Sequence, residues 1–493
     1  GAGSAPLREH GGRSRGEGSA GAMGAMSEEL RRNFAIYAVF NAAAGMLMLV
    51  NELEGPFART LVDCDIPAWG MPFSGSTLCG DRLFVIDQGQ KLSSQAQGYE
   101  CLCKVLAMLF ISVMADVVGR KPALVIGLSC TALSALLFVA ASAAPLAAAE
   151  WLFTLGQALQ GAYPAELLGS IVQTDIGGEP GANLVVIGTI NQVLGVSVMF
   201  GVKSVAASLN YLELLDFRPV WAAIALVNIA VAAAAITWCR ETKPDFGQPS
   251  GSLSEGVRRE LGEYRDLLRG SFLLRMNLLM FAVFSMAEVC NTLDFSFVIS
   301  RHGFSQARAV LWFFFQPPVA VACIGIVGAV SARLGEKRTF VAVFGVLSLL
   351  DMALVPCYPA SPWAVFAHKY GLCVLSGVGP LIYAIDSRWF DRRVTAKFLS
   401  MRNLVQYGVG MAANPAYAAI FDAKAVGYLS SLRPYLLKLG CRCVQAFLLF
   451  GICWDVGAEG GLSKVLSTIE QENAEARAKA AGARGAAEDK KDK

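Results

Sequence analysis

Glu288, Asn291 and Asp294 interrupt the apolar run "FAVFSMAEVCNTLDFSF" at residues 281–297. On a helix, Glu288 shares one face with Asn291 and Thr292 at i+3 and i+4, and Asp294 lies slightly farther along. A carboxylate in such surroundings costs free energy to keep ionised, so it can take up and release a proton as its surroundings change. Proton exchange beside a solute is the chemistry this spacing supports. A structural carboxylate, hydrogen-bonded between helices, is the other reading of the same residues. Gln157 and Gln160 sit at i and i+3 in another apolar run, and Asn191 and Gln192 are adjacent in a third. Polar groups of this kind pair with one another or line a path for solute.

Other chemistries find no support. Cys130, Cys239, Cys290, Cys323 and Cys373 lie inside apolar runs, where thiols act as small hydrophobes, and the chain has three histidines. Neither Cys101-Leu-Cys103 nor Cys441-Arg-Cys443 has partners at zinc-site spacing, so no metal and no cofactor is expected. HExxH is missing, and the GxSxG and DxxD spacings fall in the terminal tails, at Gly12-Arg-Ser14-Arg-Gly16 and Asp489-Lys-Lys-Asp492, away from every apolar span, which argues against a polytopic membrane enzyme.

These residues must be positioned by helices in a membrane. Of 493 residues, 55% are hydrophobic and 16% charged, and the mean hydropathy is +0.48, whereas soluble domains carry about 25% charged residues. Apolar stretches long enough to cross a bilayer recur at about 33–51, 99–118, 122–143, 146–171, 183–203, 219–239, 272–299, 308–332, 339–357, 363–387, 397–421 and 435–455. Twelve transmembrane helices is the expectation, with Lys438 and Arg442 of the last span snorkelling toward one surface. A net charge of +3 in short clusters between spans gives no case for nucleic-acid binding.

Basic residues near span ends set orientation. Fifteen fall on the side that holds Arg120, Lys121, Arg333 and Lys337, against nine on the other. Both termini should be cytosolic, in the plasma membrane or an organelle membrane. The expected organisation is a disordered cytosolic tail over 1–32, a six-helix bundle over 33–239, a cytosolic linker over 240–271, a second six-helix bundle over 272–455 and a cytosolic tail over 456–493. Residues 52–98 should form an external loop, in which Cys64 and Cys79 are either a disulfide or two thiols. Within the linker, Ser252-Leu-Ser-Glu255 is a capping-box pattern, followed by Val257, Leu261, Tyr264 and Leu268 at helical spacing. An amphipathic helix on the inner surface is expected, its basic face either against anionic membrane lipid or simply solvated.

A repeat runs through the whole. "SVMADVVGRKP" (112–122) and "GAVSARLGEKR" (328–338) align Gly119 with Gly335 and Lys121 with Lys337 at an offset of 216 residues. The same offset places Gly161-Ala-Tyr-Pro164 on Gly377-Val-Gly-Pro380 and Asp175 on Asp391. One register over three matches points to a duplicated six-helix unit, and an even number of spans gives both copies the same orientation.

With these residues the chain resembles the major facilitator superfamily of secondary transporters, over residues 33–455. The family's signature between helices two and three is Gly-x-x-x-Asp-(Arg/Lys)-x-Gly-(Arg/Lys)-(Arg/Lys). Asp116, Gly119, Arg120 and Lys121 match it, whereas Ser112 and Val117 depart from it. The second copy keeps Gly328, Arg333, Gly335 and Lys337, with Ala332 for the acid and Glu336 for a base. The fold the resemblance implies is all-α, integral to the membrane, with twelve helices in two parallel six-helix repeats.

The function it implies is alternating-access movement of a small-molecule substrate, with protons as the coupling ion; a passive facilitator and a transporter-like receptor are the alternatives. It further implies a cytosolic gate in which Asp116, Gly119, Arg120, Lys121, Asp175, Arg333, Gly335, Lys337 and Asp391 steady the outward-open state. The cavity it implies is lined by helices 1, 2, 4, 5, 7, 8, 10 and 11. Asn41, Gln157, Gln160, Asn191, Gln192, Glu288, Asn291, Asp294, Gln316, Lys369 and Gln406 are then the candidates for substrate and coupling, with Glu288 first. Lys104, His368 and Lys369 could meet an anionic solute, or serve as an i to i+4 partner of Glu100 and as snorkelling ends. Gln157-Ala-Leu-Gln160-Gly161 is similar to the Arg-x-x-Gln-Gly pattern of proton-driven antiporters, with Gln157 in the arginine's place, and "CRETKPDF" is not the run that follows helix 6 in sugar porters.

Overall fold

Gly119 and Gly335 adopt the same left-handed turn in the computed structural model of the chain, with φ 135° and ψ 163° at the first and φ 81° and ψ 158° at the second. A side chain at positive φ is strained, so glycine is what lets each helix pair reverse within one or two residues. The structure describes residues 17–62, 82–177, 217–242, 253–305, 315–378 and 392–451, together with single residues and short pieces between 187 and 208, 308 and 312, and 381 and 382.

Among the described residues the helices are α1 (Glu17–Val62), α2 (Arg82–Val117), α3 (Arg120–Ala141), α4 (Leu146–Gln160), α5 (Ala165–Gly177), α6 (Phe217–Trp238) and α7 (Leu253–Gly270). They continue with α8 (Phe272–Val289), α9 (Asp294–His302), α10 (Gln316–Leu334), α11 (Glu336–Leu354), α12 (Pro362–Leu372), α13 (Arg392–Ile420) and α14 (Tyr428–Gly451). Seven described stretches are by themselves long and apolar enough to cross a bilayer. Several spans are broken. The fourth is split into α4 and α5 at Gly161–Pro164, where the proline has no N–H to continue the ladder. The seventh passes from α8 to α9 through a 3-10 turn at Cys290–Leu293, and the tenth leaves α12 through a 3-10 turn at Cys373–Gly377.

The second repeated glycine pair marks two close crossings. A Cβ on Gly161 would lie 2.3 Å from the Glu100 carbonyl oxygen of α2, and one on Gly377 would lie 2.6 Å from Val327 Cβ of α10. Gly161→Ala therefore has to push α4 away from backbone. We expect a loss of about 1–3 kcal/mol, the range for overpacking, seen as a lower thermal unfolding midpoint. Gly169→Ala is the control, because nothing lies within 4 Å of its Cβ position.

Two sequence expectations change here. Residues 17–32, expected as disordered tail, are helical and run into the first span with a kink at Asn33 (φ −114°, ψ 15°). The expected external loop over 52–98 is mostly helix: α1 continues to Val62 and α2 begins at Arg82, so the connection is confined to 63–81. Cys64 and Cys79 lie outside the described residues, as does the segment 456–493. Burial explains the extension of α1. Phe57 is fully buried and packs with ring centroids 5.0–6.0 Å from Phe138, Phe153, Phe217 and Trp221, which ties α1 to α3, α4 and α6.

The linker carries α7, docked on both bundles at the end that holds the glycine turns. Glu260 accepts from Ser112 of α2 at 2.9 Å, while Tyr264 and Leu267 pack with Leu274, Phe398 and Met401. Along their length the bundles also meet between α2 and α13, where Gly98 and Gly410 allow close approach to Met411 and Cys101. At the opposite end Arg59 donates to Ser296 at 2.9 Å and Ser296 to Gln90 at 2.6 Å, closing the first bundle on α9 of the second.

Candidate functional site

Helix breaks and buried charge coincide. In the second bundle, Cys290–Leu293 is wound as a 3-10 turn, which turns Asn291 toward three neighbouring helices. Its side-chain amide donates to Glu288 at 2.8 Å, its side-chain oxygen accepts from Lys438 at 2.6 Å, and its carbonyl accepts from Lys369 at 2.8 Å. Lys369 also pairs with Asp294 at 3.0 Å, and Tyr435 donates to the other Asp294 oxygen at 2.9 Å. Arg442 spans Glu288 and Asp351, the latter at 2.5 Å, and Asp351 further holds Lys438 at 2.7 Å and His368 at 2.6 Å. Asp351, His368, Lys438 and Arg442 have side chains with no exposure at all.

Three carboxylates thus face three cations, Lys369, Lys438 and Arg442, and the cluster is neutral with His368 uncharged. Each cation bridges two acceptors on different segments, so α8, α9, α11, α12 and α14 are joined through one network. Ion pairs of this kind offset the desolvation of their members only if every partner is present.

The first bundle holds a different arrangement. Gln157 of α4, fully buried, donates from its amide nitrogen to Glu54 of α1 and to Glu100 of α2, both at 2.8 Å. Ser93 donates to the other Glu54 oxygen at 2.7 Å, and Lys104 pairs with Glu100 at 2.7 Å. The Lys104 ammonium lies 4.8 Å from the ring centre of Tyr407 on α13, so the cluster reaches across to the second bundle. Among the described residues one ammonium, paired with Glu100, stands beside the two carboxylates. The side-chain oxygens of Gln157 and of Gln160, one turn on, are buried without a hydrogen-bond partner.

Of the residues singled out from sequence, the structure brings Glu288, Asn291, Asp294 and Lys369 into one cluster and Gln157 into the other. Gln316 borders the first through a 3.4 Å bond to the Lys369 carbonyl. Asn41 is bonded to the Tyr37 carbonyl at 2.8 Å and lies 3.6 Å from the Cβ position of Gly195, in neither cluster. Asn191 is half-buried on its helical piece and Gln406 is exposed on α13. Gln192, Asp391 and the Asp116 side chain lie outside the described residues.

At the turns, Arg120 pairs with Asp175 at 2.8 Å, and the backbone N–H groups of Arg120 and Lys121 donate to Glu241 at 2.9 and 3.1 Å. These bonds tie the first bundle to its own α5 and to the chain leaving α6. In the second copy Arg333 is exposed and Lys337 half-buried beside Gly335. Lys438 and Arg442 do not snorkel, and neither does His368: each is fully buried in the ion network.

Sequence reasoning missed Glu54, Asp351, Lys438 and Arg442 as site residues. The i, i+4 spacing of Lys438 and Arg442 in an apolar run was an available signal, because two cations on one buried helix face require carboxylates opposite.

Comparison with known proteins agrees with this architecture. The family model of the Major Facilitator Superfamily matches residues 98–415. Among solved structures, a mutant of the nucleoside transporter NupG is similar with a TM-score of 0.60 at 13% identity, covering 85% of this chain and 100% of that one. The inward-open xylose transporter XylE from E. coli gives 0.60 at 11%, covering 85% and 96%. The human organic anion transporter MFSD10 gives 0.55 at 15%, covering 85% and 99%. No curated protein matches in sequence. At these identities the structures establish the fold, and the family match establishes membership: the chain belongs to the major facilitator superfamily and is a multi-pass membrane transporter, not an enzyme.

Proposed function

We propose that the protein is a proton-coupled secondary transporter of a small solute, and that the proton is seated between Glu54 and Glu100. The observation that carries this reading is the shared hydrogen bond: both carboxylates accept from one Gln157 amide, with Lys104 the single ammonium beside them among the described residues. Two carboxylates held that close, away from water, are most readily accommodated with one proton between them. Binding or losing that proton changes the charge of a cluster that touches the second bundle at Tyr407. That is what a coupling site needs, because a ligand shifts a conformational equilibrium only through its differential interaction with the two states.

Glu288, the leading candidate by sequence, enters this reading as part of a balanced ion network that holds the break in the seventh span. The excess of basic residues at the Gly119 and Gly335 turns supports a cytosolic position for that end and for both termini.

The test is proteoliposome flux with a lumenal pH dye. A transported solute should move protons stoichiometrically, and an imposed pH gradient should drive its accumulation. Accumulation to no more than the external concentration, at any gradient, would make the protein a passive facilitator.

A further inference from the structure

We infer that the solute exchanged against the proton is a small organic cation bearing N–H groups, an ammonium or guanidinium, bound at the Glu54–Gln157–Glu100 cluster. This rests on the reading of that cluster as the coupling site, and names its substrate class.

Charge is the first argument. Among the described residues Glu54 and Glu100 face one cation, Lys104, so the described cluster carries one uncompensated negative charge. The three cations of the second-bundle cluster are each already bonded to acceptors there, Lys369 to Asp294, Lys438 to Asp351 and Arg442 to both Asp351 and Glu288. An anionic solute would have to displace one of these carboxylates and leave it buried and unpaired, a costly exchange. A cation needs no such displacement.

Hydrogen bonding is the second, independent argument. Gln157 is fully exposed to neither water nor lipid, its amide nitrogen is committed to both carboxylates, and its side-chain oxygen, on the same amide, has no donor. Gln160, on the same helix and 1% exposed, leaves its side-chain oxygen equally without a donor. A buried acceptor without a donor is destabilising. A bare proton neutralises the carboxylate pair but cannot also serve both amide oxygens. A ligand with one positive charge and several N–H groups satisfies both deficits, and a neutral polyol satisfies only the second.

The Lys104 ammonium, between the Glu100 carboxylate and the Tyr407 ring, shows how a cation is received where the two bundles meet. Among the described residues the other titratable groups facing the pair are Lys104 and the Cys101 and Cys103 thiols from α2, with Tyr407 from α13 beside Lys104; α4 contributes the two amides.

Proton and cation then compete for one negative charge. Thermal unfolding of the purified protein, with sodium chloride at equal ionic strength as reference, is the experiment. Methylguanidinium should raise the midpoint in a concentration-dependent way and tetramethylammonium, lacking N–H groups, should do so less. Sodium gluconate and xylose should not. Where the pair is protonated, the apparent affinity for methylguanidinium should fall about tenfold for each unit the pH is lowered, the slope for one proton displaced per cation.

Glu54→Gln and Glu100→Gln should each abolish the effect. Should one of them not fold, the pH slope of the parent still decides. No shift with either cation, a shift that survives both substitutions, or stabilisation by gluconate or xylose instead would overturn the inference. Transport separates it from the reading it rests on. Proton-driven accumulation of an anion or a neutral sugar leaves the coupling site standing and removes the cationic substrate, whereas methylguanidinium flux without proton movement does the reverse.

Discussion

Asp351→Ala should be the most damaging single substitution in the second bundle. Asp351 is fully buried and holds Arg442, Lys438 and His368 at 2.5, 2.7 and 2.6 Å. Removing it leaves an ammonium, a guanidinium and an imidazole in the interior without their shared carboxylate. Breaking a buried ion pair from one side costs about 3–5 kcal/mol, a large part of the roughly 5–15 kcal/mol of a typical domain. The expected result is a marked loss of folded protein in the membrane and a much lower unfolding midpoint in detergent.

The triple replacement Asp351→Leu, Lys438→Met, Arg442→Met removes the central charges together. It should recover part of that loss, since apolar replacement of a whole buried network is often neutral or better. It leaves Glu288 without its arginine, so recovery should be incomplete unless Glu288→Gln is added. If Asp351→Ala alone unfolds at the parent's temperature, the network contributes nothing to stability.

The same residues show where sequence reasoning reached and where it stopped. Helix-local patterns were legible. Gly119 and Gly335, matched by register alone, share a left-handed turn, and Gly161 and Gly377 both sit at crossings too tight for a Cβ. Glu288, Asn291 and Asp294 were legible as one cluster because their spacing puts them within two turns of chain. What a local pattern does not encode is the distance across a bundle. Asp351 lies in an apolar run with no ionisable neighbour on its own face, Ser348 being the one polar residue a turn away, and its partners are 17, 87 and 91 residues away.

Lys438 and Arg442 read as snorkelling because a lone cation near a span end usually does, and only the carboxylate on α11 turns them inward. Glu54 was hidden for another reason. Gly55, Pro56 and the charged residues around them have loop composition, yet Phe57 packs into four other aromatic rings and holds α1 helical through to Val62. Tertiary burial overrode local propensity there, and it moved a carboxylate from an expected loop into a buried pair.

Glu54→Gln and Glu288→Gln should separate coupling from scaffolding, and their effects should be opposite in kind. Glutamine at 54 can still accept from Ser93 and meet Gln157, so the hydrogen-bonded frame around the pair survives. What is lost is the second negative charge, and with it the need for a proton, because Glu100 then has Lys104 to itself at 2.7 Å. Gradient-driven accumulation should fall at least about tenfold, to the level of equilibration, and the remaining transport should lose the parent's pH dependence. Exchange at equal concentrations on both sides separates the two roles of the pair: a solute bound elsewhere in the cavity should still exchange, since that requires no net proton movement, whereas a cation seated on the pair itself should not.

Glutamine at 288 keeps a carbonyl oxygen for Arg442 but removes one of three carboxylates that balance three cations. Its cost should appear as lower expression and a lower unfolding midpoint. Molecules that do fold should accumulate solute to the parent's level with the parent's pH profile. The measurement is uptake over a pH series in reconstituted vesicles, normalised to inserted protein, for both variants side by side. The reverse pattern, with uncoupling at 288 and intact accumulation at 54, would return the proton to the seventh span and make the Glu54–Glu100 pair a structural hydrogen-bond seat between α1, α2 and α4.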